Sequence, residues 1–290
     1  MVARSAPITG VAAGVPFLAV PPAASGRNTP VVIAWHLMDP PRTEAAFAAA
    51  LPLAGLQAWR IYLGLPMCGA RLPAGGADEL LRLGYEDAVL NVQGPIATQG
   101  AAEFPAALAQ LRDRLGLTDG PLGLVGGSMG SAIAGLVMAE TGPAAGIAVA
   151  AAVLFSPITQ LRAAVDAIGR RYGITYPWGA ASLEVAHRLD FVSRADEIAA
   201  AGPPAIRLVV GGADDREGFL VPAREFQTAL SSRYADPSRV DLVVVPGMAH
   251  ALAEEPGIEP APQIEHAATV DRHTVQWFRQ HLTGSTAVTP

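Results

Sequence analysis

The sequence predicts an α/β architecture, a mainly parallel sheet flanked by helices on both faces. Apolar runs of strand length alternate with helical stripes along most of the chain. Several of those runs are continuously apolar, the pattern of a strand covered on both faces. The composition supports the same reading: 290 residues, 51% hydrophobic and 16% charged, allow a large buried core and argue against disorder.

The elements follow in order. Ser5–Ile8 and Val15–Val20 are expected to form an opening hairpin. The run Val31-Val32-Ile33-Ala34-Trp35 is a buried strand. Thr43 can cap the next helix, which runs to about Leu51, because its hydroxyl can accept from a free first-turn amide. A strand returns at Trp59–Leu63. Glu103–Leu115 reads as a helix with Phe104, Leu108, Leu111 and Leu115 on one stripe. Leu122–Val125 is then a strand, Ser131–Glu140 a helix and Ile147–Phe155 a buried strand. Ile206–Val210 and Val240–Val245 are further strands, separated by a helix from Val221 to about Ser231. A last helix spans about Val270 to Leu282.

One segment breaks this rhythm. Fifty residues lie between Phe155 and Ile206, more than one crossover helix requires. Helix-like stretches at Leu161–Arg171 and near Ser182–Arg188 flank the aromatic Tyr176-Pro177-Trp178. No repeat or charge block divides the chain. The expectation is one domain over 1–290, with 157–200 inserted as a small helical cap where ligands bind, beyond a strand's carboxyl end.

Composition also excludes functions. The net charge of −6 gives no electrostatic footprint for nucleic acid or an anionic membrane. All 20 basic residues are arginine, which removes Schiff-base lysine chemistry and the Walker A motif. The lone Cys68 cannot form an intrachain disulfide. An N-terminal apolar stretch up to Val20 resembles a signal peptide, but Pro7, Gly10, Gly14 and Pro16 interrupt it and suit paired strands. The most apolar run, Ala144 to Phe155, is 12 residues and too short to span a bilayer. A cytoplasmic protein is expected.

The chemistry-bearing segment is Gly126-Gly127-Ser128-Met129-Gly130, a Gly-x-Ser-x-Gly pattern between an apolar strand and an Ala-rich helix. A sharp strand-to-helix turn there raises the serine hydroxyl above the sheet, and the Met129 amide can donate to an oxyanion. The alternative reading, a tightly packed or phosphate-binding glycine turn, lacks both a GxGxxG spacing and a GK pair. A serine needs a base, and the base an orienting acid. Of the six histidines, only His250 directly follows a strand in the carboxyl-terminal part of the chain. His266, His273 and His281 lie on or near the last helix, His187 on a cap helix, and His36 where it would brace a loop. Asp214 and Asp215 both follow the Ile206–Val210 strand. Adjacent side chains diverge, so one faces the histidine and the other brackets the turn; Asp214 is preferred as the acid.

With Ser128, Asp214 and His250 in that order, the chain resembles the α/β-hydrolase superfamily over most of its length. Trp35-His36-Leu37-Met38-Asp39-Pro40 is similar to the family's oxyanion loop, with Leu37 in place of the usual glycine. Gly64-Leu65-Pro66-Met67-Cys68-Gly69-Ala70-Arg71 is similar to its Leu-Pro-x-x-Gly-x-Arg turn. The resemblance implies acyl transfer through Ser128 and a second oxyanion amide from Met38 rather than Leu37. It leaves the substrate open. A serine esterase, a carboxylesterase cleaving a small or medium acyl ester, is the first expectation. A peptidase, thioesterase, lactonase or acyltransferase with the same triad is a second, and a non-catalytic binding protein a third. Tyr176, Trp178 and Phe219 are candidate pocket residues, with cap packing the competing reading for the first two; Leu252 is a further candidate wall. Asp39 is expected to cap the turn at Pro40-Pro41, and Cys68 to be a small buried hydrophobe. No His/Cys/Asp cluster has metal spacing, so no cofactor and no metal are expected, only a small-molecule ester.

Overall fold

In this computed structural model residues 6–282 are described. Eight strands form one sheet in the order β1-β2-β4-β3-β5-β6-β7-β8. They are β1 (Ile8–Ala12), β2 (Val15–Val20), β3 (Val31–Trp35), β4 (Trp59–Leu63), β5 (Leu122–Gly127), β6 (Ala151–Phe155), β7 (Ala205–Gly211) and β8 (Val240–Val245). The strands β1 and β2 pair antiparallel, as do β2 and β4; every pairing from β4 through β3 to β8 is parallel. Around the sheet lie α1 (Glu44–Ala50), α2 (Gly76–Asp87), α3 (Gly94–Leu115), α4 (Met129–Leu136), a short α5 (Gly142–Ala144), α6 (Leu161–Tyr172), α7 (Ala180–Arg188), α8 (Ala195–Ala200), α9 (Val221–Ser231) and α10 (Glu265–His281).

The continuous apolar runs serve two cores, one on each face. Val31, Ile33 and Trp35 of β3 join one core with Phe104, Leu108 and Leu111 of α3 and Ile133 and Leu136 of α4. Val32 and Ala34 join the other with Phe47 of α1 and Trp277 and Phe278 of α10. Strand periodicity of two divides the run between the faces, so both must be apolar. From β3 the chain crosses to β4 on one side and, further on, to β5 on the other. The reversal sets the carboxyl ends of β3 and β5 side by side, where open parallel sheets bind ligands.

Several boundaries differ from expectation. Ser5 lies outside the described residues, and the first strand is Ile8–Ala12 rather than Ser5–Ile8. Helix α3 begins at Gly94, not Glu103. The glycines that disguise its first half serve packing: a Cβ on Gly94 or Gly100 would meet Val185 or Ile133. Helix α2, which buries no residue fully, is an element beyond those expected. Strand β6 starts at Ala151 rather than Ile147. The Ile147 amide instead donates to Gly142 O after a positive-φ Gly146, so these residues stop a helix. Helix α10 begins at Glu265, five residues before the expected start. Between β6 and β7 the chain carries α6 and α7 as expected, and α8 in addition.

The approach of α3 to α4 gives a direct test. A Cβ on Gly100 would sit 2.4 Å from Ile133 Cδ1. Gly100→Ala should therefore cost about 1–3 kcal/mol through overpacking, despite alanine's better helix propensity. Ile133→Ala removes Cδ1, Cγ1 and Cγ2, the atoms that this Cβ would meet, and in that background the Gly100→Ala change should cost far less. Urea unfolding of the four proteins in a double-mutant cycle measures it; additive effects would contradict the packing account.

Candidate active site

Strand β5 ends in Gly126-Gly127, and Ser128 occupies φ 46° and ψ −116° before α4 begins at Met129. The glycines are needed for close approach. A Cβ on Gly126 would lie 2.4 Å from Gly130 O, and one on Gly130 would lie 2.4 Å from Trp35 O. The turn at Ser128 thus folds tightly on itself and against the end of β3. Ser128 N donates to Phe155 O at 3.1 Å, while its carbonyl accepts from Ser131 N at 2.9 Å and Ser131 Oγ at 2.5 Å. Such bonds hold a conformation that costs of order 1–3 kcal/mol.

His250 lies beyond β8, with Nε2 2.8 Å from Ser128 Oγ and Nδ1 2.8 Å from Asp214 Oδ2. The carboxylate can only accept, so the proton belongs on Nδ1, leaving Nε2 to accept from the serine hydroxyl. Asp214 Oδ1 accepts from Asp215 N at 2.8 Å, which fixes the carboxylate plane. Asp215 faces away from His250: Oδ1 accepts from Gly218 N at 2.7 Å and pairs with Arg170 of α6 at 3.0 Å. It brackets the turn, the role expected of the second carboxylate. Burial would lower the His250 pKa, but the hydrogen bond and charge of Asp214, with help from Asp39, outweigh it. The imidazole is held above its ordinary value, with Arg171 opposing.

No family model matches the chain, and no curated protein sequence matches it. Solved structures do match. The protein TT1662 from Thermus thermophilus is similar with a TM-score of 0.65 at 19% identity, over 95% of this chain and 98% of its own. A cold-adapted esterase from an Arctic intertidal metagenomic library gives 0.54 at 17%, over 95% and 93%. An acylaminoacyl peptidase from Pyrococcus horikoshii gives 0.65 at 13%, over 98% of this chain but 43% of its own. The chain has the α/β-hydrolase fold.

In this α/β-hydrolase scaffold the loop after β3 lies against the Ser128 turn, since Gly130 packs on the Trp35 and His36 carbonyls. His36 braces it as expected. Fully buried, it has Nδ1 2.6 Å from Leu37 O and accepts at Nε2 from Leu65 N, 3.2 Å away. Arg42 Nε donates to Met38 O at 3.0 Å, and the same guanidinium binds Glu255 and Pro256 O. Leu37 is buried in the core, while Met38 is partly exposed. Met129 opens α4, so its N–H has no partner within the helix. Arg71, from the turn after β4, donates to Glu103 through both terminal nitrogens and to Gly64 O, locking that turn to α3.

The pocket candidates divide. Phe219 packs against His250 with ring centroids 4.4 Å apart and the planes tilted by 49°. Tyr176 and Trp178 instead pair with each other at 4.7 Å; Tyr176 Oη donates to Asp87 and Trp178 Nε1 to Asp166. Hydroxyl and indole N–H both seek partners, and acids on the neighbouring helical segments supply them. Leu252 is a core residue, not a wall. Asp39 turns its carboxylate to His250, 3.8 Å from Nε2, instead of capping the turn at Pro40-Pro41. Cys68 packs in the core, and burial pushes its thiol up to about 12. Among the described residues no cluster of three or more His, Cys, Asp or Glu side chains could hold a metal, and no helix is long and apolar enough to cross a membrane.

Sequence reasoning missed Ser156, which at φ 42° ends β6 and donates from Oγ to His250 O at 3.1 Å. It also missed Ser131, whose Oγ accepts from Ile158 N at 2.9 Å while donating to Ser128 O. For Ser156 the available signal was a small polar residue directly after a buried strand.

The buried His36 makes stability pH-dependent. Burial lowers its pKa from 6.5 to about 4, against a smaller opposing effect of the Leu37 carbonyl. Below pH 6.5 the unfolded chain takes up the proton first, so stability present above that pH is lost as pH falls toward 4. By about pH 4.5 the loss should reach roughly 2–3 kcal/mol. Urea unfolding at neutral and acid pH measures it. His36→Gln should remove that share of the slope; an unchanged slope would contradict the assignment.

Proposed function

We propose that this protein is a serine hydrolase that cleaves a carboxylic ester of small or medium acyl size through an acyl-enzyme on Ser128. One observation carries the reading: the unbroken line Ser128 Oγ, His250 Nε2, His250 Nδ1, Asp214 Oδ2, with 2.8 Å at both hydrogen bonds. A nucleophile, a base and an orienting carboxylate in hydrogen-bond reach are the parts acyl transfer needs.

His250 Nε2 takes the Ser128 hydroxyl proton as Oγ bonds to the carbonyl carbon. Asp214 steadies the imidazolium and keeps the ring in the right tautomer. The amides of Met129 and Met38 hold the oxyanion; one such donor is worth about 3 kcal/mol in the transition state. The tetrahedral species collapses, the ester C–O bond breaks, and His250 returns the proton to the departing alkoxide. Water then repeats the sequence, with His250 as base, and releases the acid. Phe219 walls the site beside His250. The whole chain is read as one domain, with residues 157–200 as a cap that shapes substrate choice. Tyr176 and Trp178 contribute to substrate binding by fixing the shape of that cap.

The same groups would cleave an amide, and the likeness to an acylaminoacyl peptidase keeps that second reading open. Kinetics with matched p-nitrophenyl ester and p-nitroanilide substrates separate the two. On the favoured substrate Asp214→Asn should lower kcat about 10⁴-fold, because the wrong tautomer disables the base. Asp215→Asn should cost far less, its carboxylate facing Gly218 and Arg170. Activity should rise with pH along a limb set by His250, because the neutral ring is the base, and Asp214 displaces that limb above the usual 6.5. Equal losses in the two variants would overturn the role given to Asp214.

A further inference from the structure

A second carboxylate stands at the reacting end of the histidine, and the ester-cleaving steps give it no contact with the substrate. Asp39 Oδ2 is 3.8 Å from His250 Nε2, the nitrogen that faces Ser128 Oγ. Its side chain is 52% exposed, so it faces open space beside the nucleophile rather than the core. The loop carrying it is held in place. Arg42 Nε binds Met38 O, Arg42 N donates to Gly257 O at 2.7 Å, and Leu252 N donates to Pro40 O at 2.9 Å. The charge is therefore presented from a fixed backbone.

Arg42 feels the Asp39 charge, but its hydrogen bonds go elsewhere. Arg42, three residues on, gives its guanidinium to Glu255, Met38 O and Pro256 O. Among the described residues His250 is the partner in Asp39's one ion pair. Arg171, on the α6 side, also acts on His250, but more weakly than Asp39 does. Asp214 is turned to the far side of the ring and is 5% exposed, hidden from any substrate. Of the two carboxylates at His250, Asp39 is thus the one that a bound substrate can meet next to Ser128.

The geometry points to Asp39 as a specificity-determining residue that selects substrates with a cationic, ammonium-type group close to the scissile carbonyl and turns away carboxylates. This rests on the hydrolase reading above and adds the charge class of the substrate. A half-exposed carboxylate a few ångströms from such a group favours a cation, and disfavours an anion, by about tenfold each. The preference should shrink in 1 M salt, where screening reaches only about 3 Å.

The test uses three p-nitrophenyl phosphonates of similar size, one neutral, one bearing trimethylammonium and one bearing carboxylate. Each forms a Ser128 Oγ–P bond with loss of p-nitrophenolate, so labelling is timed directly and without regard to ester or amide preference. The wild-type protein should react fastest with the cationic reagent and slowest with the anionic one. Asp39→Asn should lower the cation-to-anion rate ratio about tenfold or more, whereas Asp215→Asn, a carboxylate facing away from His250, should not. If Asp39→Asn slows all three reagents equally, Asp39 acts only through the His250 proton affinity, and the inference is overturned. A wild-type ratio near one overturns it as well. Failure of all three reagents to label Ser128 would sink the hydrolase reading itself, and this inference with it.

Discussion

The site depends on one backbone constraint, the seating of the α4 N-terminus against the end of β3. Gly130 lies so close to the Trp35 and His36 carbonyls that no Cβ fits between them. That approach forces the chain through a single residue of positive φ, and the residue is Ser128. From it follow the direction of Oγ toward His250, the Met129 amide with no partner within the helix and the nearness of the Met38 loop. The strain is offset by bonds from Phe155, Ser131 and, one layer out, Ile158. Ser156 repeats the device one strand over: its positive φ lets one residue end β6 while its hydroxyl holds the His250 carbonyl.

Electrostatics build on that frame. His250 sits between Asp214, buried and bonded, and Asp39, half exposed and 3.8 Å from the ring's Nε2. The two carboxylates overcome the desolvation that would otherwise make the imidazole a weak base. His36 shows the opposite outcome. It is buried with only backbone partners and so remains neutral, which suits a brace.

Much of this was legible in the sequence because the signals are local. Continuous apolar runs mark β3, β5, β6 and β7, and the glycines around Ser128 mark the elbow. The residues after β7 and β8 supplied Asp214 and His250. What escaped was set by tertiary contact. Gly94, Pro95 and Gly100 interrupt the helical pattern before Glu103, yet the glycines are where α3 meets Val185 and Ile133. Nothing local distinguishes an aspartate that caps a turn from one that faces a histidine, so Asp39 was misplaced. The choice between Asp214 and Asp215 came down to which of two diverging side chains points across the sheet edge.

The account stands or falls on whether the Ser128 hydroxyl is the nucleophile that this geometry prepares. Treating the folded protein with a fluorophosphonate and mapping the adduct by peptide mass spectrometry measures it most directly. A single adduct on Ser128, lost in Ser128→Ala and strongly slowed in His250→Ala, is the predicted result. An adduct on Ser131 or Ser156, or none on the folded protein, would contradict the account.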